Sequence, residues 1–368
     1  MDEDAKTIKE WEETGQISYQ NLLKLAKLYS RPPATFFNVN EPTKPIFIPD
    51  LRTVGSKRKY KITPEFSLEI RNANLRRKTL LNLEKESDDF QISNFKLKDV
   101  ETNDPHEISE IIQNSLGLTP YTRRRKKLDY WIKEVEKLGI LVFQFYNIDP
   151  KEVRGYALYF DKLPIIGINN REYDNGKKFT LFHELAHIIC KNEGFSNFDT
   201  YFLTNNEKTC NKIAAESLVP SKEIDIRFNE MYNTLDNKIK NLSKFFRVSQ
   251  EVIIRRLLDL KLISNKQFNE KKGEWNKLIA EYKKSNKKNT SNKKEVKDKT
   301  EQSSDKPDIY KKQASKALKR NGYLYTLFIL DAFDEKLISI DDLSEDLEEP
   351  LEVISEIRNR INPEVSDD

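Results

Sequence analysis

Histidine is scarce in this 368-residue chain, which has only three. Cysteine is scarcer, with Cys190 and Cys210 alone, so a disulfide framework is excluded and a reducing compartment fits. Both are read as small buried hydrophobes on helices. No apolar run is long enough to cross a membrane, so no membrane partner is expected. The opening Met1-Asp2-Glu3-Asp4 is acidic and polar, unlike a secretory signal. These absences predict a soluble, cytoplasmic protein. An excess of one charge is also missing. The 64 basic residues face 60 acidic ones, and a net +4 makes no demand for nucleic acid. Hydrophobic residues are 37% and charged residues 34%, so a solvated portion is expected beside the core.

Two of the three histidines stand in one phrase, Phe179-Thr180-Leu181-Phe182-His183-Glu184-Leu185-Ala186-His187-Ile188-Ile189-Cys190. An i, i+4 spacing on an apolar helix puts both imidazoles on one face, one turn apart. Such a pair can grip one Zn²⁺ and leave Glu184 beside an activated water.

Along the chain, residues 5–37 read as two short helices, and 40–60 as a Pro-rich extended stretch. Helices are predicted at 64–90, 105–117 and 121–138. Gly139–Phe145, Val153–Tyr159 and Pro164–Asn169 read as strands from their alternation and β-branched content. Asn175-Gly176 marks a turn before the histidine helix. A helix is predicted over 206–218, ending at Pro220, and residues 221–282 read as mostly helical. From 283 to 308 the only apolar residue is Val296, which predicts a flexible Lys-rich linker. A helical unit over 309–361 follows. The predicted class is α+β, mainly helical with a small antiparallel sheet. The expected organisation is 1–45, a connector at 46–104, a catalytic domain with helical extension at 105–282, the linker at 283–308 and a C-terminal segment at 309–368.

A catalytic zinc needs three protein ligands and one open position. Glu193, Asp199, Glu207 and Glu216 all follow the histidine pair. At ~100° per residue, Glu207 shares a helix face with Cys210, Asn211, Ala214 and Leu218, whereas Glu216 falls on the face of Lys208 and Lys212. The apolar face should pack against the histidine helix. This makes Glu207 the preferred third ligand, with Glu193, Asp199 and Glu216 as alternatives, Glu216 being read as a solvated charge. Glu184 would act as general base toward the activated water. His106 is expected near a helix start without a catalytic role, and the donor to the oxyanion is left unassigned. The Pro164–Asn169 strand is a possible edge for β-augmentation by substrate.

The phrase Phe179–His187 and the block Glu207-Lys208-Thr209-Cys210-Asn211-Lys212-Ile213-Ala214-Ala215-Glu216-Ser217-Leu218-Val219-Pro220 resemble the ImmA/IrrE family of zinc metallopeptidases. The likeness runs over about residues 105–270. It implies a zincin-like fold, zinc held by His183, His187 and Glu207, and a protein substrate, in particular a helix-turn-helix repressor or similar regulator. Trp11-Glu12, Leu22–Tyr29, Arg31-Pro32 and Phe36-Phe37 resemble the end of an Xre-type helix-turn-helix domain that precedes the peptidase in one subgroup. Only ten residues precede Trp11, so the groove-reading helix is expected to be missing. Residues 309–361 are similar to that subgroup's tail.

Two other functions compete. Leu242–Ser249 followed by Val252–Leu257 has a helix-turn-helix look, and Arg247, Arg255 and Arg256 could meet phosphates in a DNA-binding regulator. An antitoxin-like interaction protein is the other. Glu184 favours the enzyme, because a scaffold has no physical need for that carboxylate.

Overall fold

Three strands form the centre of the fold: β1 (Leu141–Phe145), β2 (Gly155–Leu158) and β3 (Ile165–Asn169) are buried at every position. Their alternation divides the side chains between two cores. Val142, Ala157, Ile166 and Ile168 face one core, while Leu141, Phe143, Phe145, Tyr156, Leu158 and Ile165 face the other. A strand buried on both faces needs apolar residues throughout, which is why Leu141-Val142-Phe143 shows no polar alternation. The computed structural model that gives this arrangement describes residues 5–28, 33–37, 63–191, 194–196, 205–275, 277 and 306–361.

The sheet is mixed, where an antiparallel one was expected. A fourth short strand, β4 (Gly194–Ser196), extends it, and the order is β1-β3-β2-β4. β1 and β3 run parallel, with Leu141 opposite Ile165, and β2 is antiparallel to both β3 and β4. The reason is topological. The chain makes a hairpin from β2 to β3, and β3 inserts between β2 and β1. β3 is therefore hydrogen-bonded on both sides, which removes it as an edge for substrate augmentation. Asn169 ties the turn together, its amide donating to the carbonyls of Ile148 (3.0 Å) and Val153 (2.8 Å).

One face of the sheet carries α7 (Asp174–Ile189) and α6 (Leu128–Glu136). The predicted Asn175-Gly176 turn lies inside the first turn of α7. Asp174 begins that helix, where an acid complements the dipole. The predicted 121–138 helix is broken into α5 (Pro120–Arg125) and α6 at Lys126-Lys127. Against α7 packs α8 (Asn205–Leu218), which also meets α4 (Pro105–Ser115). Asp104 caps α4 by accepting the amides of His106 and Glu107, so His106 sits at a helix start as expected. Beyond α8 lie α9 (Ser221–Glu230), α10 (Leu235–Phe246), α11 (Gln250–Asp259) and a helix through 265–275 (α12).

The opposite face of the sheet is covered by α3 (Pro64–Glu86) and by the C-terminal helices α13 (Lys306–Asn321) and α14 (Tyr323–Asp334), with α15 (Ile340–Leu347) and α16 (Leu351–Ile361) behind them. α1 (Ala5–Thr14) and α2 (Tyr19–Leu28) are the two N-terminal helices expected. The 40–60 stretch and residues 283–305 of the predicted linker lie outside the described residues. Among the described residues no helix is long and apolar enough to cross a membrane.

A buried carboxylate fastens the C-terminal helices to the sheet. Glu136 ends α6 and accepts the amide of Leu324 at 3.1 Å, in the first turn of α14. Gly322 precedes that turn at φ +76°, and a Cβ there would lie 2.7 Å from the Val142 carbonyl. Burial pushes the Glu136 carboxyl up to about 8, against the pull of the Leu324, Tyr323 and Val142 amides. A carboxyl raised in the folded state contributes stability in full below its ordinary value of 4.5, and that contribution is lost as pH rises through about 8. Glu136→Gln, neutral at every pH, should flatten this fall. Urea midpoints of variant and wild type should converge toward pH 5 and separate by pH 9, with the variant the more stable.

Candidate metal centre

His183 and His187 project from the same face of α7 toward α8. Their Nε2 atoms are 3.1 Å apart. Glu207, in the first turn of α8, completes the group. One of its carboxylate oxygens is 3.2 Å from His183 Nε2 and the other 3.2 Å from His187 Nε2. The ligand atoms of the three residues lie within 4.8 Å of one another, and this is the only such His/Cys/Asp/Glu group among the described residues. Both histidines are buried, while the Glu207 side chain keeps 19% of its exposure. The centre is therefore approached from the α8 side.

These residues fit a zinc ion. Ligands at about 2.0–2.1 Å in a tetrahedron stand roughly 3.3 Å apart, close to the separations seen here. The charge states of Glu207 and His183 fit too. Burial would raise the Glu207 carboxyl, but hydrogen bonds from His183 and His187 outweigh it and hold the group well below the usual carboxylate range. Burial lowers His183 and favours the neutral imidazole a metal requires. At His187 burial also acts downward, but the Glu207 hydrogen bond and the Glu184 and Glu207 charges raise it overall. An ionised carboxylate aimed between two imidazole nitrogens is a cation site by its donor chemistry.

Glu184 points from α7 toward the sheet and is fully buried. The close approach depends on Gly155 in β2. A Cβ on that residue would lie 2.5 Å from Thr180 Cγ2 and 2.7 Å from a Glu184 carboxylate oxygen. Gly155→Val should therefore push α7 off the strand. An expected loss of about 1–3 kcal/mol of stability, as for other overpacked cores, would be read from urea unfolding. Unchanged stability would mean that α7 tolerates a shifted register. Phe179 stacks on His183 with centroids 6.3 Å apart. Trp131 packs edge-on to Phe182, the residue before His183, in the core.

Of the other candidates for the third ligand, Glu216 goes elsewhere. Glu216 is not the solvated charge expected. It is buried, forms an ion pair with Arg256, and accepts from the Ser221 amide and hydroxyl at 3.0 Å each. Helical phase treated α8 as having one covered face. In the structure α11 supplies the partner for the second face, so its C-terminal half is enclosed. Glu193 and Asp199 lie outside the described residues. His106 stands near Glu110 and Glu216, not at the histidine pair.

The arginines of the helix-turn-helix reading are also redistributed. α10 and α11 do form a tight helix pair, with Arg247 in the left-handed turn between them at φ 52°. Arg256, however, is buried, and its Nε donates to the Val219 carbonyl. Arg255 is paired with Glu251 at 2.9 Å. A cavity of about 360 Å³ lies between α7, α8 and α11, with Phe179, Asn211, Ala215, Val252 and Leu258 in its walls. Sequence reasoning had no sign of it, since its walls come from three helices far apart in the chain. It abuts the centre through Phe179, which stacks on His183, and through Asn211, one turn after Glu207 on α8.

No curated protein and no solved structure matches the chain. The mainly helical arrangement around a small mixed sheet is that of a zincin-like α+β domain. Residues 135–258 hold the strands β1 to β3, both helices that carry the His183, His187 and Glu207 group, and most of α11, and they match the family model of the IrrE N-terminal-like domain, Peptidase M78, so this segment is similar to a metallopeptidase-type domain.

Proposed function

We propose that the chain is a zinc-dependent endopeptidase that cuts a specific protein. The observation that carries this reading is the pair of facing imidazoles closed by an ionised carboxylate, with Glu184 one residue from His183 on the same helix. His183, His187 and Glu207 hold the metal in this proposal. Zinc bound there supplies an acidified water and polarises a carbonyl. Glu184 takes a proton from the attacking water and passes it to the departing amine. Its burial against Gly155 keeps the carboxylate in a low-dielectric setting, where a proton transfer is most sensitive to position. The cavity beside Phe179 gives room for a substrate side chain next to the centre.

The substrate class follows from the resemblance: a helix-turn-helix repressor or a similar regulator. On the same reading, residues 1–45 correspond to the end of an Xre-type domain and 309–361 to the subgroup's tail. The DNA-binding alternative retains α10 and α11 as a helix pair, yet two of its three arginines are occupied by Glu251 and Glu216. The decisive experiment labels new amino termini in a cell extract treated with the zinc-loaded chain or with its chelated form. A protein cleaved only by the loaded form supports the proposal. No new terminus, together with salt-dependent binding to duplex DNA, would replace it by the regulator.

A further inference from the structure

The cavity of about 360 Å³ beside the candidate centre has walls from α7, α8, α11 and α12. It runs along the ligands on two helices. Phe179 in its wall stacks on His183, and Lys208 directly follows Glu207 on α8. The apolar wall residues are not fully covered: Phe179, Val252, Leu258 and Phe268 are only half-buried. Ala215 is buried and brings no more than a methyl group, which leaves the space between α8 and α11 unfilled.

The charges around this space are already engaged or remain in water. Glu172 accepts from the Thr180 hydroxyl at 3.0 Å and pairs with Arg154 at 3.5 Å, and Glu251 pairs with Arg255 at 2.9 Å. Arg256 pairs with Glu216. Lys208, Lys212 and Asp259 are exposed. What the cavity offers a ligand is therefore half-wetted apolar surface. Covering it with another apolar group is favourable, whereas burying a charge against it costs desolvation. Ligand pockets run from ~300 to ~1,000 Å³, so this one is at the small end and suits one large side chain.

Taking the chain as the peptidase proposed, we infer that this cavity is the specificity pocket of the centre and selects one large apolar side chain, aromatic or leucine-like, next to the bond that is cut. Ala215 on α8 and Val252 on α11 set its width. Side chains of this class are ordinarily inside a folded protein. The pocket thus selects a segment that is extended or locally opened, because only there is such a residue presented.

The test titrates the zinc-loaded full chain in a calorimeter with four small chelators: acetohydroxamic acid, 3-phenylpropanohydroxamic acid, N-benzylacetohydroxamic acid and succinic monohydroxamate. Two add a benzyl group, one on each side of the chelating unit, and the last adds a carboxylate. At least one benzyl probe should bind about 10–100-fold more tightly than acetohydroxamic acid, the gain from burying one aromatic side chain. Ala215→Trp and Val252→Phe fill the cavity from different helices, and each should erase that gain. A folding failure in one variant leaves the other to decide. A gain that survives the substitution, equal binding of parent and benzyl probes, or a succinic probe tighter than both benzyl probes would overturn the pocket. Failure of the peptidase reading looks different: zinc does not load, or acetohydroxamic acid itself does not bind, and the pocket falls with the centre.

Discussion

Glu184→Gln is expected to bind zinc as the wild type does and to hydrolyse a protein substrate about 10²–10⁴-fold more slowly, the usual loss when a positioned general base is removed. The substitution is nearly isosteric, so the contact with Gly155 is kept and α7 should not move. What it removes is the capacity to accept a proton. The ligand atoms belong to other residues, so metal content separates the two roles. Metal analysis and a cleavage assay on the same preparation read both. Undiminished cleavage would show that the base is another group, and loss of metal would show that Glu184 supports the centre itself. Because Glu184 is buried, its replacement by Ala would add a cavity and blur the result; Gln avoids that.

Glu207→Ala is expected to weaken zinc binding by more than about 100-fold, beyond the loss typical of partners that only support a ligand. The carboxylate is the single anion between the two imidazoles, and each of its oxygens is 3.2 Å from one of them. Without it the site has two neutral donors on one helix and no charge to offset the ion. Competition against a chromophoric chelator gives the affinity. Glu207→Gln separates charge from packing, since the amide fills the same space without the anion. Retention of wild-type affinity by Glu207→Ala would transfer the third ligand to Glu193 or Asp199. A further consequence lies in His187, which owes its raised proton affinity to this carboxylate after burial is overcome.

The candidate metal centre was legible because its chemistry is local. Two histidines one turn apart must share a helix face wherever that helix goes, and the scarcity of histidine elsewhere leaves few other sources of such ligands. Glu207 was legible one step further, because helical phase puts it with Cys210 and Ala214 on the side that α7 covers. The same argument failed for Glu216. It presumes one covered face per helix, and α11, about 40 residues downstream in the sequence, covers the second. Arg256 was misread for the same reason, its charge being absorbed by Glu216 in the interior. Strands β1 to β3 were placed within two residues of their ends at most, yet their pairing was not, because side-chain alternation is the same in parallel and antiparallel neighbours.

The amino-acid sequence by itself determined the helices and strands, the α+β class, and the side chains able to hold a divalent metal. Each of these rests on interactions between residues a few positions apart. Tertiary structure alone decided the mixed order of the sheet, the pairing of Glu216 with Arg256, the Glu136 clasp on α14 and the cavity beside Phe179. All four depend on which distant segments come into contact, and that choice is made by the packing of the two cores on either side of the sheet.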